Sequence, residues 1–399
     1  MASDFTVDRN SSKWVLGSDG YLKEYTTDQP AIEFNADGSY KGVLVEPAGT
    51  NECLQSENIN TTWTATRATP TQSTETTPDG DSTNKYIKLV DDGSTGTGSA
   101  YVEQTIGASV NTKYTASVFL KADQLSFATV QALGIDGATS ATQYFGLSGA
   151  GSLGNSTAAV EDKKIQAYPN GWYRCSITWT QGASDTSFDL RIYVANSLTS
   201  VIVDLDGTSS IFVWGAQLEE SPIATSYIPT TTGAVTRVKD DIYLTSASSL
   251  IGQTEGTLFV EVDWRLTSGT GQVLLEINDD TTNNRISIYN RNSPIELRMY
   301  CISNGVEMTQ QGESSTAYTG IQKIAFAYKT NDFELYRNGS SISSDTSGSL
   351  ASLATLTNVN FGNRDAGLGA GGQANMWIRA VALFTSRLTD TQCEDLTTI

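Results

Sequence analysis

Gly171-Trp172-Tyr173-Arg174, Val213-Trp214-Gly215-Ala216-Gln217-Leu218-Glu219 and Ala224-Thr225-Ser226-Tyr227-Ile228-Pro229-Thr230 follow one another in this order along a chain of 399 residues. Each reads as a strand or strand exit with an aromatic plug, and none contains a plausible catalytic set. Working outward, strict alternation over Thr112 to Ala122 puts Tyr114, Ala116, Val118 and Leu120 on one face and Thr115, Ser117, Phe119 and Lys121 on the other. Phe188, Leu190, Ile192 and Val194 form a second apolar face, with Asp189, Arg191 and Tyr193 opposite. Val201-Ile202-Val203 and Ile211-Phe212-Val213-Trp214 are continuous apolar runs, as in strands buried on both faces. Turn residues separate these runs, which predicts a jelly-roll β-sandwich over residues 53–240. Thr64 to Asp81, rich in Thr, Pro and Gly, is predicted to be a long loop, and Asp91 to Gly98 another.

On either side the pattern changes. Residues 1–52 hold short strands, Tyr21-Leu22-Lys23-Glu24-Tyr25 and Ala31-Ile32-Glu33-Phe34, between the turn signals Ser18-Asp19-Gly20 and Ala36-Asp37-Gly38. They have no core of their own and must pair with the next domain or a neighbouring subunit, so they are read as an assembly or anchoring arm. Pro229 to Asp241 reads as a connector. Residues 241–399 read as a second sandwich. Leu258, Val260, Val262 and Trp264 make one of its faces, and Ile324, Phe326 and Tyr328 another. Phe333 to Arg337 runs into Asn338-Gly339, the strongest short hairpin signal. Met376 to Phe384 is a strand, and Leu388-Thr389-Asp390-Thr391-Gln392-Cys393 starts a short helix, with Thr389 and Gln392 forming a capping box. The expected fold class is all-β, two jelly-roll sandwiches in tandem behind an N-terminal β arm.

Composition narrows the chemistry. The chain has no histidine, which removes the usual general base and the commonest transition-metal ligand, so a Ser-His-Asp or Cys-His site is impossible within it. Carboxylate-only chemistry stays open. Cys53, Cys175, Cys301 and Cys393 are far apart and form no C-x-x-C pair, so they are read as buried free thiols rather than zinc ligands. With 44 acidic and 25 basic residues the net charge is −19, a poor surface for nucleic acid. The opening residues show no secretory signal pattern and no apolar run reaches transmembrane length, so membrane insertion is not expected.

The three opening segments, in their order, resemble a module of tailed-phage virion proteins often labelled a head-spike or fibre domain. Upstream, Gly17-Ser18-Asp19-Gly20-Tyr21-Leu22 leads into Gly42-Val43-Leu44-Val45-Glu46-Pro47-Ala48-Gly49-Thr50-Asn51, then Ser56-Glu57-Asn58 and Trp63. This is similar to the G-(hydrophobic)-L-(hydrophobic)-E-x-A-x-T-N opening of that type, with Gly49 where many relatives have Arg. The second sandwich, with its N-G hairpin and L-T-x-x-Q ending, resembles the laminin-G or concanavalin-like family. That family hosts lectins, enzymes and spacers alike.

The resemblance implies a non-enzymatic virion structural protein, a head-spike, fibre or decoration subunit. It would be a homo-oligomer, with a trimer as the working guess, contacting other virion proteins and displaying a lectin-like domain to host or environmental glycans. It would be assembled in the host cytoplasm and released with the virion. The alternatives are a lectin or adhesin, and a carbohydrate-active enzyme using carboxylates on the C-terminal sandwich. For glycan binding the candidates are Trp63 and Trp377 as stacking rings, and Asn363, Arg364 and Asp365 on a glycine-rich loop. No cofactor is required; a structural Ca2+ is the one candidate metal, with Asp204 and Asp206 the preferred ligands over Asp79/Asp81, Asp91/Asp92 and Asp279/Asp280. Glu261, Asp263 and Arg265 alternate on one face of a strand. Glycosidases with an E-x-D-x-E series place a carboxylate where Arg265 stands, so this face is read as solvated and locally ion-paired.

Overall fold

The computed structural model describes residues 5–265, 271–292, 295–314, 318–351, 353–363 and 373–399. Its strands pair antiparallel throughout, and the one α-helix among the described residues is Asp390–Thr397. The first sandwich stacks two six-stranded sheets. One runs, edge to edge, Ser152–Ser156, Thr139–Gly146, Phe127–Asp136, Ser187–Ala195, Tyr101–Gly107 and Thr64–Thr66. The other runs Asp162–Ala167, Trp172–Thr180, Lys113–Ala122, Ser210–Glu219, Lys85–Asp91 and Ala68–Ser73. Tyr114, Ala116, Val118 and Leu120 face Leu190, Ile192 and Val194 across the core, as their alternation requires. The predicted loop from Thr64 to Asp81 is a loop only in part. Ala68–Ser73 pairs with Lys85–Asp91, and Pro70 is accommodated because this strand lies at the sheet edge, where its missing N–H breaks no interior ladder.

The second sandwich stacks two seven-stranded sheets, and three N-terminal strands, Thr6–Asp8, Ile32–Phe34 and Tyr40–Val45, are part of it. Thr6–Asp8 forms the edge of one sheet beside Asp241–Leu244. Tyr40–Val45 pairs with Met376–Phe384 in the other sheet, and Ile32–Phe34 closes that edge. Of the two partners open to the segment read as an assembly or anchoring arm, the next domain or a neighbouring subunit, these strands take one in this chain, with Val7 and Val45 buried in the second core. A backbone with open hydrogen-bonding edges pairs with whichever edge the chain brings closest. Asn338 and Gly339 turn with φ of 50° and 83°, both positive as a two-residue hairpin demands. Thr389 and Gln392 form the capping box, and Leu388 packs on Cys393. All four cysteines are buried free thiols.

The joint between the sandwiches is made from the segments quoted first. Trp172, Phe119 and Trp214 lie on the outer face of the first sandwich, away from its core, where they pack with Tyr227 and with Leu22 of the hairpin Lys13–Leu16/Leu22–Tyr25. Below this plug lies a buried ionic network. Asp240 accepts from Arg9 Nη1 at 2.9 Å, from Lys13 Nζ at 2.5 Å and from the Glu46 amide at 2.8 Å. Glu46 lies 3.2 Å from Lys13 Nζ and accepts from the Ser226 amide at 2.9 Å, with Arg237 at 3.7 Å. These five charged side chains are at most 1% exposed. Burial alone would raise the Glu46 carboxyl, but Lys13, Arg237 and the Ser226 side chain outweigh it and hold it at about 2. Asn51 ties the same point to the first sandwich, donating to Ala216 and Ile228 and accepting from the Cys53 and Leu218 amides. A Cβ at Gly49 would lie 2.5 Å from Glu219 Oε1, so the bare backbone is what fits beside that buried carboxylate.

Candidate binding cleft between the sandwiches

Where the outer face of the first sandwich meets the second, a solvent-open cleft of about 440 Å3 remains. Strand alternation and register build its first wall in three rows. Asp162, Thr178 and Thr115 form one row; Lys164, Ser176 and Ser117 the next; Gln166, Arg174 and Phe119 the third. Their neighbours Cys175 and Ile177 point into the core, so these side chains must point outward. The second wall comes from Lys41, Asp263, Arg265 and Trp377. Asp263 stands directly opposite Trp377 in the sheet.

Trp377 is the fixed point of that wall. Its indole N–H donates to Glu33 Oε2 at 2.7 Å, Lys41 Nζ sits 3.7 Å from the ring centroid, and the Arg265 guanidinium sits 4.1 Å away. Lys41 also pairs with Glu33 at 3.1 Å, and burial pulls its ammonium below the usual lysine range despite that carboxylate. On the facing wall Arg174 donates to Ser117 Oγ at 3.1 Å, while its Nε is buried with no hydrogen-bond partner. Burial pushes the neighbouring Tyr168 hydroxyl up to about 12, with Arg174 opposing. Thr115 Oγ1 and Thr178 Oγ1 lie 2.8 Å apart. Lys164 pairs with Asp162 at 3.1 Å.

The residues expected to bind glycan fall differently. Trp63 is 5% exposed, packed in the first core with its N–H on the Leu54 carbonyl, so it offers no stacking face. Trp377 is 3% exposed and both of its faces carry a cation, so it lines the cleft without offering a bare ring. Asn363 is buried and donates to Asp241 Oδ1. Arg364 and Asp365 lie outside the described residues.

Among the described residues, Asp204 and Asp206 do not converge with further carboxylates. Asp206 Oδ1 accepts from the Thr208 amide and hydroxyl, a local turn. The loop is instead organised by buried Asp91, whose carboxylate accepts from the amides of Gly93 at 2.9 Å, Gly207 at 2.7 Å and Ser209 at 2.9 Å. Among the described residues no group of three or more acidic or cysteine side chains is gathered as a metal site needs. Glu261 pairs with Arg379 at 2.7 Å, in line with a locally paired face, whereas Asp263 and Arg265 are turned into the cleft. Sequence reasoning passed over Arg174, Lys41 and Gln166. The available signal was that Arg174 alternates against the apolar Tyr173 and Cys175.

Fold and cleft together define the class: an all-β protein of two jelly-roll-type sandwiches with a polar cleft between them. No family model matches the chain, and no curated protein matches it. Among solved structures it is similar over part of its length to the CBM40 of Ruminococcus gnavus IT-sialidase, at 14% identity and a TM-score of 0.33, covering 38% of this chain and 86% of that one. The NanB sialidase of Streptococcus pneumoniae is similar at 16% identity and a TM-score of 0.33, covering 39% of this chain and 26% of that one. A botulinum neurotoxin serotype D/C binding domain gives 16% identity and 0.33, covering 40% of each chain. At these values the likeness carries no argument about ligand or activity. No helix of the described residues is long and apolar enough to cross a membrane.

Proposed function

We propose that this chain is a non-catalytic glycan-binding protein whose saccharide site is the cleft between the sandwiches. The observation that supports it is the wall of outward hydroxyl, amide and charged groups from Thr115, Gln166, Arg174, Ser176 and Thr178, facing Trp377 and Asp263 across about 440 Å3. A sugar ring needs many directional hydrogen bonds from a pre-formed, solvent-open pocket, and binding pockets commonly span about 300–1,000 Å3. The buried ionic joint favours a fixed spacing between the walls, which lowers the ordering cost of binding.

A hydrolytic reading draws on Asp162 and Asp263 in the same cleft, but Asp162 is tied to Lys164. The virion reading rests on the order of the opening segments. In that setting the two joined sandwiches would be the displayed unit, with oligomerisation through surfaces other than the N-terminal strands.

The test is a glycan array probed with the full chain and with Ser176→Trp, which fills the cleft from an outward position. Binding to a saccharide class, lost in the variant, is the expected result. A blank array, or binding that Ser176→Trp leaves intact, refutes the cleft as a glycan site.

A further inference from the structure

Resting on the glycan reading of the cleft, we infer that its ligand is a saccharide bearing a carboxylate, gripped between Arg174 of the first sandwich and Arg265 of the second. The cleft is lined by four cations, Lys41, Lys164, Arg174 and Arg265, against two carboxylates, Asp162 and Asp263. This excess of positive charge stands in a chain of net charge −19. The two lysines are already engaged, Lys41 by Glu33 and Lys164 by Asp162. The two guanidiniums are not. Among the described residues neither has a carboxylate within ion-pair distance; Arg174 meets only the neutral hydroxyls of Ser117 and Tyr168, with its Nε buried and unpartnered, and Arg265 rests on the Trp377 ring.

A buried guanidinium N–H without an acceptor is costly, and a planar carboxylate is the acceptor whose two oxygens match the guanidinium fork. The internal carboxylates cannot serve. Glu46 is held by Lys13 and Arg237, and Glu219 is fully buried among Gln217 and Thr225. Stacking on Trp377 fixes the plane of Arg265, and the Phe119 ring, 5.5 Å from the Arg174 guanidinium carbon, backs Arg174. The two forks are thus pre-oriented on opposite walls. Gln166 and Ser176 supply neutral partners for the remaining hydroxyls, and Asp263 supplies an acceptor for a sugar hydroxyl.

The experiment is an array carrying carboxylated, sulfated and neutral saccharides, followed by titration calorimetry of the full chain with the best carboxylated binder and its carboxyl-reduced, neutral counterpart. Binders should be confined to the carboxylated class, with reduction of the carboxyl weakening binding by about tenfold or more. Arg174→Gln and Arg265→Gln should each weaken it by a similar factor, with near-unchanged affinity for the neutral counterpart. Two variants from different sandwiches guard against one of them failing to fold, and tryptophan fluorescence reports the fold of each. Equal affinity for acid and neutral forms, a preference for sulfated saccharides, or full binding by both variants overturns the inference while leaving a glycan site standing. An array blank in every class overturns both.

Discussion

Asp240→Asn is the sharpest probe of the joint. The substitution keeps the shape of the side chain and removes the charge that faces Arg9 and Lys13 and caps the Glu46 amide. Three buried cations, Arg9, Lys13 and Arg237, are then left with the single carboxylate of Glu46. One amide oxygen replaces two carboxylate oxygens that took three donors. Breaking a buried ion pair from one side costs about 3–5 kcal/mol, because the remaining charge is desolvated without compensation. With an m-value of about 3 kcal/mol/M, that moves the urea midpoint of the affected transition down by about 1–2 M. Tryptophan fluorescence suits the measurement, since Trp14 packs at the edge of the aromatic plug and Trp377 lies in the adjoining wall. Trypsin provides an independent readout. Arg9 and Lys13 are fully buried in the folded chain, so Asp240→Asn should accelerate cleavage after either of them. A midpoint unchanged within about 0.3 M, with no faster cleavage, would refute the reading of this network as desolvated and charge-balanced.

Further outcomes can be measured by the same urea unfolding. Glu46 is held at about 2 in the folded protein against an ordinary value of 4.5, so its contribution of about 3 kcal/mol is present above pH 4.5 and fades as pH falls toward 2. Urea midpoints should drop over that window, and Glu46→Gln should be less stable at pH 7 yet show a smaller drop; an equal drop in both proteins would discount this carboxyl. Glu219, raised by burial, acts with the opposite sign, stabilising most at low pH and less as pH rises through its folded value. At the far end of the first sandwich, Asp91→Ala leaves three backbone N–H groups without their acceptor and should lower stability by about 1–3 kcal/mol in urea unfolding. EDTA should leave the wild-type midpoint where it is, whereas an EDTA-sensitive midpoint would return a structural Ca2+ to the Asp204–Asp206 loop.

Some of this was legible residue by residue. The alternation at Tyr114–Leu120 and Phe188–Val194 correctly gave inward and outward faces, because a strand's side-chain period is fixed by its backbone. The Asn338-Gly339 hairpin and the Thr389/Gln392 cap were readable because their causes lie within four residues. Trp172 and Trp214 read as packed aromatics and are packed, yet against the N-terminal hairpin rather than in the sandwich core. Period-2 patterning says that a residue is on the other face, not what covers that face. The same limit misled the reading of Trp63 and Trp377 as accessible rings. Trp377 contacts Glu33 and Lys41, more than 330 residues away in sequence, and no local pattern encodes such a meeting.

By itself, then, the sequence determined the class of chemistry and the local geometry. No histidine means no imidazole-based catalysis, and β-periodic runs with turn residues mean antiparallel sandwiches. Tertiary structure alone decided that Thr6–Asp8, Ile32–Phe34 and Tyr40–Val45 complete the second sandwich, that Glu46 and Asp240 meet Arg9, Lys13 and Arg237 out of water, and that Arg174 and Arg265 face one cleft from two sandwiches. The reason is physical. Local rules act through backbone sterics and nearest neighbours, whereas desolvation and charge pairing depend on which surfaces are brought together across hundreds of residues.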